Sequence, residues 1–182
     1  MNPKDFLILL IVSFLWGGSF LFIRLLVLEG MEPLEIVSMR MLLASIFILP
    51  FLLNRSKKHS FKDHSLSFLL IGILNTALPF TLFAYASLQL GAGSLSVLQA
   101  TVPILTALIL FSLFKNEFSI SKLIGVLIGF VGLYVLVGPG SNFDLFSSIL
   151  CVVASLSYAV AGVYLARTPN KLDLAEQAIR DL

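Results

Sequence analysis

The chain has 182 residues, of which 58% are hydrophobic and 12% are charged. Soluble globular domains carry about 25% charged residues, so this composition excludes an ordinary soluble fold. The formal net charge of +2 favours no particular partner by itself, and nucleic acid is not expected as one.

Six apolar stretches follow one another along the chain. An α-helix rises about 1.5 Å per residue, so about 20 residues cross a hydrocarbon core about 30 Å thick. The stretches have roughly this length and predict an all-α, multi-pass membrane protein with six transmembrane helices. They run over Phe6–Leu28, Leu34–Leu53, Leu66–Ser87, Ala92–Phe114, Lys122–Gly138 and Leu145–Ala166.

The first two predicted spans each contain an arginine, a residue that is costly inside a bilayer. Arg24 lies in the first span, on a helical face flanked by Trp16, and Arg40 lies in the outer half of the second span. Two interpretations are open. Either the arginines extend to the outer interface and meet nearby glutamates, or they form a positive site for a carboxylate or another anion. The glutamates in reach are Glu29, Glu32 and Glu35.

Polar residues recur inside the third, fourth and sixth spans. The third holds Asn75 and Tyr85, the fourth holds Gln99, and the sixth holds Tyr158. Intramembrane polar groups usually face other helices or water, so their presence on several helices predicts a shared central cavity. The alternative is ordinary hydrogen bonding between packed helices.

Prolines stand inside two of these spans, Pro79 in the third and Pro103 in the fourth. A proline removes a backbone donor, and the freed carbonyl needs a partner in the protein or in a wet cavity. Each proline therefore predicts either a packing kink or a cavity-lining segment.

The fifth span carries Gly125, Gly129 and Gly132, a spacing that predicts close helix packing. A glycine- and proline-rich turn at 138–142 ends this span. We divide the chain into a five-helix membrane repeat at 1–140, a sixth transmembrane helix at 141–167 and a short cytoplasmic tail at 168–182.

Positive charges lie on one side of the predicted zigzag. With a cytoplasmic N-terminus, ten of the twelve Lys and Arg residues fall in cytoplasmic segments, and the other two lie within spans. The opposite loops, Glu29–Pro33, Gln89–Gly91 and Gly138–Asp144, hold none. Lys and Arg near span ends stay in the cytoplasm, so both termini are predicted to be cytoplasmic.

Several kinds of site are not expected. No P-loop of the form G-x-x-x-x-G-K-[ST] occurs, so this chain alone is not expected to use ATP. His59 and His64 match no zinc-site spacing, and the single cysteine, Cys151, permits no intrachain disulfide. We expect no cofactor, no metal site and no enzymatic activity.

Short motifs, taken in the order of the spans, resemble those of the EamA-type branch of the drug/metabolite transporter superfamily. The resemblance covers about residues 6–167. The motifs are Trp16-Gly17-Gly18-Ser19-Phe20 with Arg24, Pro33 with Arg40, Leu90–Gln99 with Pro103, Phe114-Lys115-Asn116-Glu117, the three glycines of the fifth span, and Ser155-x-x-Tyr158-Ala159-x-x-Gly162.

This resemblance implies a ten-helix fold in which two inverted five-helix repeats surround a central cavity. It implies export or exchange of small metabolites, such as amino acids, by alternating access. The implied partners are the lipid bilayer, a small-molecule substrate and a second copy or second half-transporter, and the implied location is the bacterial inner membrane. The substrate-binding positions that it implies are Trp16, Asn75, Tyr85, Gln99 and Tyr158, to which the charge argument adds Arg24 and Arg40.

The chain differs from the family pattern in length, because it carries one repeat and one further helix. The segment Leu172–Leu182 does not resemble a seventh span. We favour a truncated form of a ten-helix carrier, inactive by itself. A half-transporter that acts as a dimer and a non-transporting membrane scaffold are the alternatives.

The topology can be tested with reporter fusions in each loop. A reporter fused at Lys58 is expected to show cytoplasmic activity, whereas one at Gln89 is expected to show external activity, because the basic segments stay in the cytoplasm. An external reporter at Lys58 would contradict the predicted orientation.

Overall fold

The computed structural model of the chain describes residues 2–53, 65–113, 120–137 and 144–167. Every regular element in these ranges is a helix. The predicted basic segment 55–62, the turns at 114–117 and 138–142 and the tail 168–182 lie outside the described residues. The helices are Pro3–Leu28 (α1), Pro33–Leu53 (α2), Ser65–Ala86 (α3), Ala92–Leu113 (α4), Ile120–Val137 (α5) and Leu145–Ala166 (α6).

Five of these helices are long and apolar enough to cross a membrane. They contain between 18 and 26 residues, and the apolar side chains on their outer faces are largely exposed, as lipid-facing residues would be. The predicted multi-pass helical membrane fold is therefore confirmed. The predicted fifth span lies on α5, a further helix of 18 residues. The five candidate spans are Pro3–Leu28, Pro33–Pro50, Ser65–Ala86, Ala92–Leu113 and Leu145–Ala166.

Local hydrogen bonds fix the ends of α1 and α6. Asn2 Oδ1 accepts from the amide of Lys4 at 3.4 Å and caps the N-terminus of α1. Asp144 caps α6, since its carboxylate accepts from the amide and the hydroxyl of Ser147, both at 2.8 Å. Both bonds favour the charged form of the Asp144 carboxyl and so lower its pKa, and the bond from the backbone amide of Ser147 has the larger effect. Gly30 permits the turn after α1, where φ is +91°.

α6 is the most buried of the helices and lies against both α3 and α4. α2 packs on α3, α1 on the first part of α4, and α5 on α4. One buried cluster joins α1, α3, α4 and α6, and a smaller one joins α1, α2 and α3. Representative members of the larger cluster are Phe20, Phe83, Leu95 and Ala154.

The glycine spacing on α5 does not produce a close contact within the described residues. A Cβ atom added at Gly125, Gly129 or Gly132 would meet no described atom within 4 Å. The expected tight packing of this face is therefore not seen among the described helices.

Both α3 and α4 are interrupted next to their prolines. α3 is α-helical over Ser65–Gly72 and again over Leu78–Ala86, and a π-helical turn at Ile73–Ala77 joins the two parts. α4 consists of Ala92–Gln99 and Val102–Leu113, with a turn between them. Proline cannot donate a backbone hydrogen bond, which explains why each break precedes one.

In α3, a serine of α6 replaces the missing donor. The amide of Leu78 donates to the carbonyl of Ile73, five residues back, as in a π-helix. In the same i to i−5 pattern, residue 79 would donate to the carbonyl of Leu74, but Pro79 has no amide hydrogen. Ser157 Oγ donates to that carbonyl at 2.7 Å.

The break in α4 is also supported from α6, although the carbonyl concerned keeps a backbone donor, the amide of Thr101 at 3.2 Å. The carbonyl of Leu98, just before the break, accepts from Ser155 Oγ at 3.1 Å and from Thr101 Oγ1 at 2.6 Å. Inside a bilayer no water would be at hand for this carbonyl, so the two hydroxyls stabilise the interrupted backbone. The two serines of α6, Ser155 and Ser157, thus act in helix packing.

Replacing either serine of α6 tests this account. Ser155→Ala and Ser157→Ala are each expected to lower the free energy of unfolding by about 1 kcal/mol, because a buried carbonyl loses a donor. Reversible unfolding in mixed micelles measures the change.

Ser45→Ala is the matched control. The hydroxyl of Ser45 bonds the carbonyl of Met41 in its own helix at 2.7 Å and is exposed, so its loss should change little. Equal effects of all three substitutions would contradict the proposed role of α6.

Candidate functional site

A cavity of about 230 Å³ lies among α1, α2, α3, α4 and α6. Its wall is mainly apolar, with a few polar side chains, which is the usual make-up of a small-molecule site. Four of the seven site residues expected from the sequence lie in its lining: Trp16, Arg40, Gln99 and Tyr158.

Aromatic rings form much of the wall. Phe20 of α1 meets Phe83 of α3 edge to face, with 5.3 Å between ring centroids. Phe83 stacks on Tyr158 at 6.4 Å, and Tyr158 lies at the same distance from Trp16, tilted by 58°. These separations are typical of attractive aromatic pairs, so the rings support one another across three helices.

A hydrogen bond joins the polar edge of the wall. Trp16 Nε1 donates to Gln99 Oε1 at 3.0 Å. Gln99 is the last residue of the first part of α4, so the helix break sets the position of its amide. The bond links α1 to the interrupted helix and satisfies the indole donor.

Arg40 brings a positive charge into the lining. Its guanidinium lies 4.7 Å from the centre of the Phe80 ring, a cation–π geometry. Within the described part of the chain the guanidinium has no carboxylate partner in an ion pair. Glu35, one of the glutamates considered for this role, instead accepts from the backbone amide of Glu32 at 3.3 Å.

The hydroxyl of Tyr158 completes the polar groups of the cavity. Tyr158 is only 9% exposed, and its oxygen is buried without a hydrogen-bond partner among the described residues. The phenol and the guanidinium of Arg40 line the same cavity. A buried hydroxyl normally has a partner, so this one indicates a polar group that comes from outside the wall.

Comparison with known families gives this cavity a context. A family model, described as the EamA-like transporter family, matches residues 4–138. The chain belongs to the EamA-like transporter family. The resemblance seen in its motifs is thereby confirmed.

Several relatives of this EamA-like chain carry the name of transporter. It is 29% identical over 95% of its length to an uncharacterized transporter of Archaeoglobus fulgidus, covering 61% of that protein. It is 31% identical over 92% of its length to the uncharacterized inner membrane transporter YedA of Escherichia coli K12, covering 55%. It is 31% identical over 86% of its length to the uncharacterized transporter YdfC of Bacillus subtilis, covering 52%.

These matches agree with a transporter rather than an enzyme, in a multi-pass membrane protein. The EamA-like chain spans little more than half the length of the relatives quoted. No solved structure matches it significantly.

Three of the expected site residues lie outside the cavity lining. Arg24 donates from Nη1 to the backbone carbonyl of Ser87 and, at 3.2 Å, to that of Leu88. Asn75 lies half-buried in the π-helical turn of α3, and Tyr85 is 42% exposed near the end of that helix.

Residues that the sequence did not single out as binding positions also line the cavity. Ser19, Phe80 and Phe83 are among them. The two phenylalanines are three positions apart and follow Pro79, so they lie on one helical face just beyond the proline. That spacing is the one signal that could have indicated them.

In the described part of the EamA-like chain, no three His, Cys, Asp or Glu side chains lie together as metal ligands. Besides the indole of Trp16, the polar groups in the cavity lining are the guanidinium of Arg40, the amide of Gln99, the phenol of Tyr158 and the hydroxyl of Ser19. These groups can bind and orient a small molecule by charge and hydrogen bonds.

The contacts of Arg24 indicate that it stabilises helix packing rather than binding a ligand, and this can be tested. Arg24→Gln is expected to lower the free energy of unfolding by about 2 kcal/mol, since the carbonyls of Ser87 and Leu88 lose a charged donor. Arg24→Lys should restore part of the loss. Unfolding in mixed micelles gives the values, and an unchanged stability of Arg24→Gln would contradict the packing role.

Proposed function

We propose that the EamA-like chain forms part of a secondary transporter that exports or exchanges small metabolites, such as amino acids, by alternating access. The cavity among α1, α2, α3, α4 and α6 is the substrate site of this proposal. The single observation that supports it best is that Arg40, Gln99 and Tyr158 converge on one cavity in an apolar bundle.

The depth of these groups supports a transport role. Arg40 lies about 10 Å along α2 from its first residue, Pro33, so its charge is placed inside the bundle. A charged or polar side chain at such depth is costly, and it usually faces a substrate or ion path. Surface attachment or simple anchoring would need none of these groups.

The interrupted helices supply a site for movement. Transporters of several folds bind their substrates where membrane helices are discontinuous. Gln99 stands at the break of α4, and α3 carries its π-helical turn in mid-membrane. In this proposal the two outer parts of α3 and α4 tilt against α6 as access changes from one face to the other.

Further helices would complete the carrier. Because the EamA-like chain spans little more than half the length of the relatives quoted, we propose that a second repeat or a second copy of the chain encloses the cavity. The predicted orientation, with both termini in the cytoplasm, belongs to the same proposal.

A cavity-filling substitution tests the function directly. Ser19→Phe adds bulk to the lining without removing Arg40, Gln99 or Tyr158. In liposomes that contain the chain, we expect saturable counterflow of labelled metabolites from a mixed panel of amino acids and organic acids. Ser19→Phe should reduce the rate about tenfold or more, since the cavity has little spare volume.

Ser45→Phe is the matched control, because Ser45 lies on an exposed face of α2. It should leave counterflow close to that of the unaltered chain. The dependence on protein density adds a second measurement: a rate that rises more steeply than linearly indicates a dimer. Absence of counterflow at every density would favour the alternative, a non-transporting membrane scaffold.

A further inference from the structure

We propose that the cavity binds the carboxylate of a small aromatic monocarboxylate through the guanidinium of Arg40 and the hydroxyl of Tyr158. The inference rests on the proposed function, since it names the substrate class of the same site, and it replaces the amino acids given there as an example with carboxylates that carry no amine. It depends on three features of the cavity: an uncompensated cation, an unpartnered hydroxyl and a wall of aromatic rings.

The charge of Arg40 calls for an anion. Among the described residues the guanidinium meets no carboxylate, and its one close contact of note is the face of Phe80 at 4.7 Å. An aromatic face attracts a cation, but it does not accept the several hydrogen bonds that a guanidinium donates. A carboxylate accepts two of them in parallel and supplies the missing negative charge.

The hydroxyl of Tyr158 adds a third donor next to this cation. Its oxygen is buried and has no partner among the described residues, and Tyr158 lines the same cavity as Arg40. A hydroxyl beside a guanidinium cannot use the guanidinium as an acceptor, because that group has donors only. A carboxylate oxygen placed between the two groups accepts from both.

The rest of the lining favours an aromatic body without an amine. Trp16, Phe20 and Phe83 line the cavity together with Tyr158, so a ligand there would meet mainly aromatic surface. No acidic side chain occurs among the described residues of the lining. Gln99 Oε1, an acceptor that an ammonium group could use, already accepts from Trp16. A zwitterionic amino acid would therefore leave its ammonium group without a charged partner.

The small volume sets the size and charge of the ligand. A cavity of about 230 Å³ is smaller than the sites of drug-sized molecules, which start at about 300 Å³. Arg40 is the one charged side chain among the described lining residues, which favours one carboxylate over two.

Benzoate is a suitable probe, and benzamide is its neutral counterpart of the same shape. Trp16 is the single tryptophan of the chain and lies in the cavity, so its fluorescence reports binding at this site. The full-length chain in nanodiscs is titrated with benzoate, benzamide and phenylalanine, and the dissociation constants are compared. We expect saturable binding of benzoate, with benzamide and phenylalanine each weaker by about tenfold or more.

Variants assign the binding to the two side chains. Arg40→Gln should abolish saturable binding of benzoate, while Arg40→Lys should retain part of it, because lysine keeps the charge without the fork of donors. Tyr158→Phe keeps the ring and removes the hydroxyl, and should raise the dissociation constant about tenfold. Ser45→Ala is the matched control: it removes an exposed hydroxyl outside the lining and should leave the constant unchanged.

The outcomes separate this inference from the proposed function. Equal binding of benzoate and benzamide, or unchanged binding in Arg40→Gln, would overturn the carboxylate site even if metabolites are transported. Tighter binding of phenylalanine than of benzoate would overturn the exclusion of an amine. Binding of benzoate as expected, without counterflow of any metabolite, would uphold the site and contradict the transport function instead.

Discussion

A backbone carbonyl inside a bilayer has no water to bond, so it must find a donor in the protein. In this chain Pro79 and Pro103 each disturb the backbone ladder of a membrane helix. Ser157 of α6 replaces the donor missing for the carbonyl of Leu74, and Ser155 of α6 adds a donor to the carbonyl of Leu98 at the break before Pro103. The two serines are two positions apart, about 200° around the helix, and they face different neighbours. Both the position and the rotation of α6 between α3 and α4 follow from these bonds.

The rotation of α6 also decides which side chains reach the cavity. Tyr158 lies three residues after Ser155, on nearly the same side of the helix, so the bond that holds Ser155 against α4 places the phenol beside Gln99. The carbonyl of Leu98 lies at the same break that ends a helical segment at Gln99. The packing of α6 on α4 and the position of Gln99 in the cavity therefore both depend on the break in α4, and a change to the packing would also alter the cavity.

The sequence was sufficient for the multi-pass helical fold and for five of the six predicted spans, because length and continuous apolar character are local properties of a chain. It also indicated Trp16, Arg40, Gln99 and Tyr158, since polar groups inside a bilayer have few alternatives to a shared interior. It did not single out Phe80 or Phe83, because apart from their spacing after Pro79 they look the same as the lipid-facing members of the chain's 16 phenylalanines. In α3, moreover, the π-helical turn shifts the helical faces on its two sides, so a regular period does not relate Asn75 to Tyr85.

The two intramembrane arginines show why depth alone does not assign a role. Arg24 faces the end of α3, where the carbonyls of Ser87 and Leu88 lie beyond the last helical residue and accept its hydrogen bonds. A helix C-terminus carries partial negative charge, so the fold itself satisfies this cation. Arg40 faces the ring of Phe80 and the cavity, and among the described residues no oxygen atom accepts a hydrogen bond from its guanidinium. The two arginines thus differ in the acceptors that the described fold gives them, and in our proposal the acceptor for Arg40 comes from a ligand.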